Sequence, residues 1–329
     1  MRTKGAVLSK LAMAAAIVPT ACTLSDVQIA EADDVLLVEA YVTWAAPAPR
    51  AAARVFLHGT LTTEDELRPS TLDAFIEMIA EDGQRTALLE VPPEVCLASD
   101  TPADRNPGRC YAGALAASVT PGRRVLMEIE MADGRIVTGG TVLPNDFDIV
   151  SPITSSRTCR VPARRLLEVA WTSSAGAWAY TTETSLRGAR DVLGALDGQF
   201  QELDDPLLLF GLAISDADTA VSFPNEYGLF DRFGDDVTTL ALIELQEGLL
   251  NGMSASITVA AADRNYVNWQ RGGNFNPSGL VRVPSLRGDG TGVLGSTVAR
   301  AVNLEVGDPV PGRPACEGIV PQAAAQTAP

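Results

Sequence analysis

Apolar and polar positions alternate with the two-residue period of strands along most of the chain. The first strong run is Val35–Trp44, VLLVEAYVTW, rich in branched and aromatic residues and closed by Pro47 and Pro49. Ala53–His58 reads as a second strand. Phe75–Ala80, FIEMIA, alternates cleanly, Asp82-Gly83 supplies a turn, and Thr86–Val91 returns. Val125–Met131 and Ile136–Val142 flank Ala132-Asp133-Gly134-Arg135, the signature of a tight hairpin that Pro144 ends. About seven strands and no convincing helix predict an antiparallel, Ig-like sandwich over 35–144.

Residues 145–165 are rich in Pro, Ser and Thr and read as a linker. A second β-rich domain is expected over 166–307. Its strands are Leu166–Ser173, Trp178–Leu186, Leu207–Ile214, Val237–Leu245, Ser254–Ala261 and Val298–Val306, with Asn251-Gly252 as a turn. Ala189–Asp205 is ambiguous. Val192, Leu196 and Phe200 would mark a helical face, but Gly194 and Gly198 weaken it toward loop or frayed helix. Asp263 is placed to N-cap a short helix carrying Tyr266, Val267 and Trp269, ended by Gly272-Gly273. Residues 308–329 turn to Pro, Ala and Gln and read as a loose tail. The expected class is therefore all-β, two sandwich-like domains with one or two short helices in the second.

The N-terminus changes the picture of where this fold works. Arg2, Lys4 and Lys10 precede an apolar run from Leu11 to Ala21, and Cys22 follows. That is an export signal, residues 1–21, too short to span a bilayer. Ala21 before Cys22 offers a lipobox, so Cys22 is the expected lipidation site and 22–34 the tether. The competing possibility is a plain secretory signal cut nearby. The whole chain carries a formal charge of −16, and losing the signal makes it three charges more negative. Such a surface repels phosphate backbones, which argues against nucleic-acid partners, and it leaves the lipid to hold the protein on a membrane.

Candidate chemistry is sparse. Lys4 and Lys10 are the only lysines, so the mature chain lacks a P-loop or Schiff-base lysine. His58 is the single histidine and falls at a strand end, which leaves no HExxH or three-histidine zinc site. The sequence shows no GxSxG elbow and no cofactor motif. Gly288–Gly295, GDGTGVLG, lacks the lysine and the strand–loop–helix setting of a nucleotide loop and reads as a packed glycine turn. Asp204-Asp205, Asp216/Asp218 and Asp235-Asp236 are loop acids that nothing in the sequence pairs at a hydrolytic separation. Asp100, Asp104 and Asn106 have calcium-type oxygens but not the EF-hand spacing, so no metal is expected there. Cys22, Cys96, Cys110, Cys159 and Cys316 make five, and lipidating the first leaves an even four. Cys96 and Cys110 bracket a turn-rich loop and suggest a local clasp. Cys159 and Cys316 flank the second domain and would tie it shut. FPNEYGLFDRF concentrates Phe223, Tyr227, Phe230 and Phe233, either a core cap or an exposed contact patch for a partner or glycan.

The order of lipobox, VLLVEAYVTW, EIEMADGRIVTGGTVLP, NYVNWQRGGNFNPSG and LRGDGTGVLGS resembles that of the outer-membrane lipoproteins of unknown function that often accompany TonB-dependent receptors. The likeness covers most of residues 22–306. It implies a two-part, mostly β, lipid-anchored envelope protein, and it transfers no catalytic residue. The expected function is non-enzymatic binding, as an accessory subunit of an outer-membrane uptake complex with a TonB-dependent receptor as partner. The alternative is a secreted carboxylate-dependent hydrolase such as a glycosidase.

Overall fold

The computed structural model describes residues 35–46, 50–59, 72–97, 108–152, 158–213, 215–224, 236–272 and 283–317. Its strands are β1 (Leu36–Ala45), β2 (Arg50–Gly59), β3 (Ala74–Ala80), β4 (Arg85–Ala87), β5 (Leu89–Val91), β6 (Arg109–Ala114), β7 (Arg124–Met131), β8 (Ile136–Val142), β9 (Ile149–Ser151), β10 (Thr158–Val161), β11 (Leu167–Trp171), β12 (Ala179–Arg187), β13 (Leu207–Leu212), β14 (Ala220–Phe223), β15 (Ser254–Ala262), β16 (Leu286–Gly288) and β17 (Gly290–Val306). The helices are α1 (Ala189–Gly194), α2 (Asp236–Glu244) and α3 (Arg264–Gly272). The all-β class expected from the alternation is what folds.

A nine-stranded sheet runs β13-β12-β15-β17-β1-β2-β6-β5, with β10 also on β17. A five-stranded sheet runs β16-β8-β7-β3-β4, and β14-β11-β9 form a third. Val38, Val42 and Val55 of the first sheet share one core with Ile76, Met127 and Ile129 of the second. Strict alternation puts them there: β1 and β7 bury every second side chain, as one face of a half-buried strand must.

The expected boundary at 145–165 does not divide the sheets. β17 pairs with β1 in parallel from Leu36↔Gly290 to Ala45↔Ala299, and with β15 antiparallel from Ser254↔Glu305 to Ala262↔Thr297. β16 completes the five-stranded sheet against β8. Strands from both halves of the chain are thus hydrogen-bonded into common sheets, within one compact unit that begins at Asp34. The stretch read as a linker supplies β9 and β10, whose short apolar runs are diluted by Pro, Ser and Thr.

β17 also begins eight residues earlier than expected, because its first half is glycine-rich. Gly288 and Gly292 have φ of +107° and +135°, and a Cβ there would meet the Ile136 carbonyl at 2.2 Å and the Val38 carbonyl at 2.0 Å. These glycines let the chain cross from β16 into β17 against neighbouring backbone. GDGTGVLG is thus a packed turn, as expected, that runs on into strand.

Three other expectations change. Val237–Leu245 is not a strand but α2 and the turn after it, with Ala241 of the helix and Leu245 just beyond its end both buried, four residues apart. Val237, Thr238 and Thr239 suggest strand, yet Leu240–Glu244 favour helix. Ala189–Asp205 contains α1 and a 3-10 turn at Gly198–Glu202, and the buried face is Ala189, Leu193 and Phe200, with Leu196 exposed. The expected loose tail is held as far as Cys316: Arg160 N donates to Pro314 O and Cys316 N to Arg160 O, both at 2.8 Å.

Both disulfides form as expected, Cys96–Cys110 and Cys159–Cys316. Cys22, Tyr227, Phe230, Phe233, Asp100, Asp104 and Asn106 lie outside the described residues.

Candidate binding cleft

The sheets and α3 are joined by a buried polar pin. Asp263, 6% exposed, ends the β15 segment and caps α3. Its Oδ1 accepts Tyr266 N at 2.9 Å, the N-cap bond the sequence predicts, and Ser296 N of β17 at 3.0 Å. Its Oδ2 accepts the Thr141 hydroxyl of β8 at 2.6 Å, and Thr141 Oγ1 lies 2.8 Å from Ser296 Oγ. Beside it, Asn265 Nδ2 donates to Gly140 O at 3.1 Å and Leu294 O at 3.0 Å. One helix start therefore fastens the five-stranded sheet to the nine-stranded one. Burial pushes the Asp263 carboxyl above its ordinary value, opposed by the hydrogen bonds from Thr141 and the backbone amides.

This pin fixes the wall of an open cleft of about 690 Å³ on the outer face of the five-stranded sheet. β7 turns Arg124, Leu126 and Glu128 outward, and Arg124 stands opposite Val142 across the ladder. Arg287 of β16 stands opposite Thr138. Arg264 follows the cap directly, and Trp178 N donates to Ala262 O at 2.8 Å, which sets the indole beside it. The Arg264 guanidinium lies 4.9 Å from the Trp178 ring centre. Trp178 is 46% exposed, whereas Trp44, Trp171 and Trp269 are buried. A second cavity of about 330 Å³ continues past Arg264 and Arg287 to Asn268 and Val283.

What sets this cleft apart is the gathering of arginines without ion pairs in one place. Elsewhere many guanidinium groups are in ion pairs, Arg85 with Glu77 and Glu128, Arg109 with Asp73 and Glu90, Arg300 with Asp146, and Arg313 with Glu305. Arg50, Arg54 and Arg190 donate to backbone carbonyls. Among the described residues Arg187, outside the cleft, has neither kind of partner. Arg124, Arg264 and Arg287 make no ion pair among the described residues, although the chain has a large excess of carboxylates. Three unpaired guanidinium groups beside an exposed indole suit an anionic or ring-bearing ligand.

A smaller cleft of about 300 Å³ lies on the outer face of the nine-stranded sheet beneath α3. Glu39 and Glu183 line it, but on β1 and β12, with β17 and β15 between, so no ladder pairing sets the two carboxylates opposite each other. Tyr266 packs edge-on against Tyr41 there, and burial pushes its phenol up to about 12, so it stays protonated near neutrality.

The residues singled out in the sequence fall elsewhere. Phe223 is 2% exposed, ends β14 opposite Leu167 and sits in the main core, so it is not a partner contact. The aromatic excess contributes packing at that position. His58 ends β2 with its ring stacked on Phe56 and lines neither cleft. Asp205 accepts the distant amide of Gly188 and Asp218 the local amide of Ser215, so each has a structural hydrogen bond. Among the described residues no group of three His, Cys, Asp or Glu side chains is placed to hold a metal ion. The cleft residues were missed because they come from separate stretches. One signal was available: the Asp-Gly hairpin register already sets Arg124 opposite an apolar residue instead of an acid.

Neither the models of known protein families nor the curated proteins contain a match to this chain.

Proposed function

We propose that this is a lipid-anchored envelope protein that binds, without turnover, a ligand in the cleft of Arg124, Arg264, Arg287 and Trp178. The observation that carries the reading is the set of unpaired arginines in one cleft of a strongly acidic chain. All three are exposed, so water solvates them, but like charges gathered in one cleft raise the local positive potential and favour an external anion there. The export signal, the lipobox at Cys22 and two disulfides support an oxidising envelope compartment. A TonB-dependent receptor as partner follows from the sequence resemblance alone and belongs to the same proposal.

Two measurements test this. Mass spectrometry of the mature protein should find a diacylglyceryl group on Cys22, and an unmodified terminus at another residue would refute the anchor. Arginine footprinting with a dicarbonyl reagent should label Arg124, Arg264 and Arg287 readily, and soluble envelope extract should protect those three. Protection confined to other arginines, or none, would refute the cleft.

The hydrolase reading has its own observation, the two carboxylates of the smaller cleft. It requires that Glu39→Gln or Glu183→Gln abolish glycan cleavage by the wild-type protein. The binding reading predicts no cleavage to abolish.

A further inference from the structure

We infer that the ligand of this cleft is a short acidic saccharide, a uronate-type oligomer of two to about four sugars, a size the cleft volume admits. The inference deepens the binding reading above and rests on it.

Four features of the cleft select this class. The first is the geometry of the cations. Arginine is the only such cation once Lys4 and Lys10 leave with the signal, so its presence is not a choice made by this cleft, but three planar forks gathered there can each match a carboxylate with two parallel hydrogen bonds. The second is the mixture of surfaces around them. Trp178, Leu126 and Val142 offer exposed apolar area, while Thr138, Asn268 and Ser285 offer groups that donate and accept toward hydroxyls. A sugar ring presents just that combination, an apolar face rimmed by hydroxyls. Arg124, Arg264 and Arg287 break up the apolar area.

The third feature is the closed sheet edge. A peptide that bound by adding a strand would need free backbone groups along β8. β16 already pairs with Val137–Gly139, and Asn265 takes the next carbonyl, Gly140 O. Along β8 that mode of recognition is filled from within the chain, and the edge strand that remains beside the cleft, β16, is only three residues long. The fourth is the charge of the whole molecule. A long polyanion would bring many charges up to a surface that repels them, whereas a short one brings only the charges the three arginines meet.

The length limit is the sharpest consequence. Affinity should rise with sugar number only until the cleft is full, and a longer polymer should bind no better per chain end. Binding should also weaken as salt is raised, since the contacts are between exposed charges.

The test is calorimetric titration of the folded, unlipidated protein with galacturonate tetramer, galacturonate octamer, neutral maltotetraose, inorganic phosphate and phosphatidylglycerol vesicles. The tetramer should bind saturably, the octamer no more than a few-fold tighter, and the other three at least tenfold more weakly. Arg124→Gln with Arg264→Gln and Arg287→Gln should lose tenfold or more for the tetramer while melting at the wild-type temperature. The more conservative Arg287→Lys should lose part of that affinity. Equal binding of maltotetraose, or an unaffected triple variant, would overturn the acidic-saccharide assignment. So would phosphate or vesicles binding as well as the tetramer. If envelope extract protects the three arginines but no acidic saccharide binds, the ligand class fails and the cleft stands. If nothing protects them, both fail.

Discussion

Replacing Cys159 and Cys316 together by alanine should destabilise the protein by roughly 4–5 kcal/mol in the chain-entropy model. The bond closes a span of 157 residues, within which lie β11 to β17. Without it the unfolded chain regains the freedom of that whole loop. The folded state loses little geometry directly, because Arg160 still bridges to Pro314 and Cys316 through the backbone. Both cysteines are buried, so alanine adds a small cavity cost to the same side of the balance. Removing Cys96–Cys110, a separation of 14, should cost less, roughly 3 kcal/mol on the same model. Urea unfolding of the two double variants checks the order. A Cys96/Cys110 variant less stable than the Cys159/Cys316 variant would show that local packing, not loop length, governs these bonds.

Asp263→Ala should cost roughly 2–4 kcal/mol. The substitution removes the α3 cap, worth about 1 kcal/mol. It also strips the partner from Ser296 N, about 1–3 kcal/mol when left buried, while the Thr141 hydroxyl loses the carboxylate but keeps Ser296 Oγ. Asp263→Asn should cost far less. The amide oxygen still accepts from Tyr266 N and Ser296 N, and its NH₂ can donate to Thr141 Oγ1. The pair of variants also carries a pH signature. Burial raises the folded-state value of Asp263, so the folded protein holds this proton more tightly than the unfolded chain. Its contribution to stability is therefore fullest below the ordinary carboxyl range, about 4, and is lost as pH rises through the folded value. Asp263→Asn should remove that part of the fall. Denaturant midpoints measured from mildly acidic to neutral pH read it directly, and identical slopes for wild type and Asn would contradict it.

The helix cap, the hairpin of β7 and β8 and both disulfides were legible because each is local or is set by parity. Asp263 precedes an amphipathic stretch, Asp133-Gly134 joins two alternating runs, and four cysteines remain once Cys22 is assigned to lipid. The union of the two halves was not legible. It depends on β17 pairing with β1 across some 250 residues, and Gly290, Gly292 and Gly295 suppress the strand signal where that pairing begins. A Cβ at Gly295 would press against Tyr266 of α3 at 3.0 Å, so glycine lets α3 pack closely on β17 there. The tail was misread for a related reason: its hold comes from backbone bonds to β10 and a distant cysteine, which composition does not report. The cleft was least legible of all. An arginine's type is visible in a sequence, but whether a carboxylate stands beside it is a property of the folded sheet.

That unpaired state bears on the central claim, that the cleft binds without turnover. Calorimetric titration of the envelope fraction that protects Arg124, Arg264 and Arg287 tests it most directly. The account predicts heats that saturate, a return to baseline after every injection, and ligand recovered unchanged. A sustained heat flow with shortened or otherwise altered ligand would contradict it.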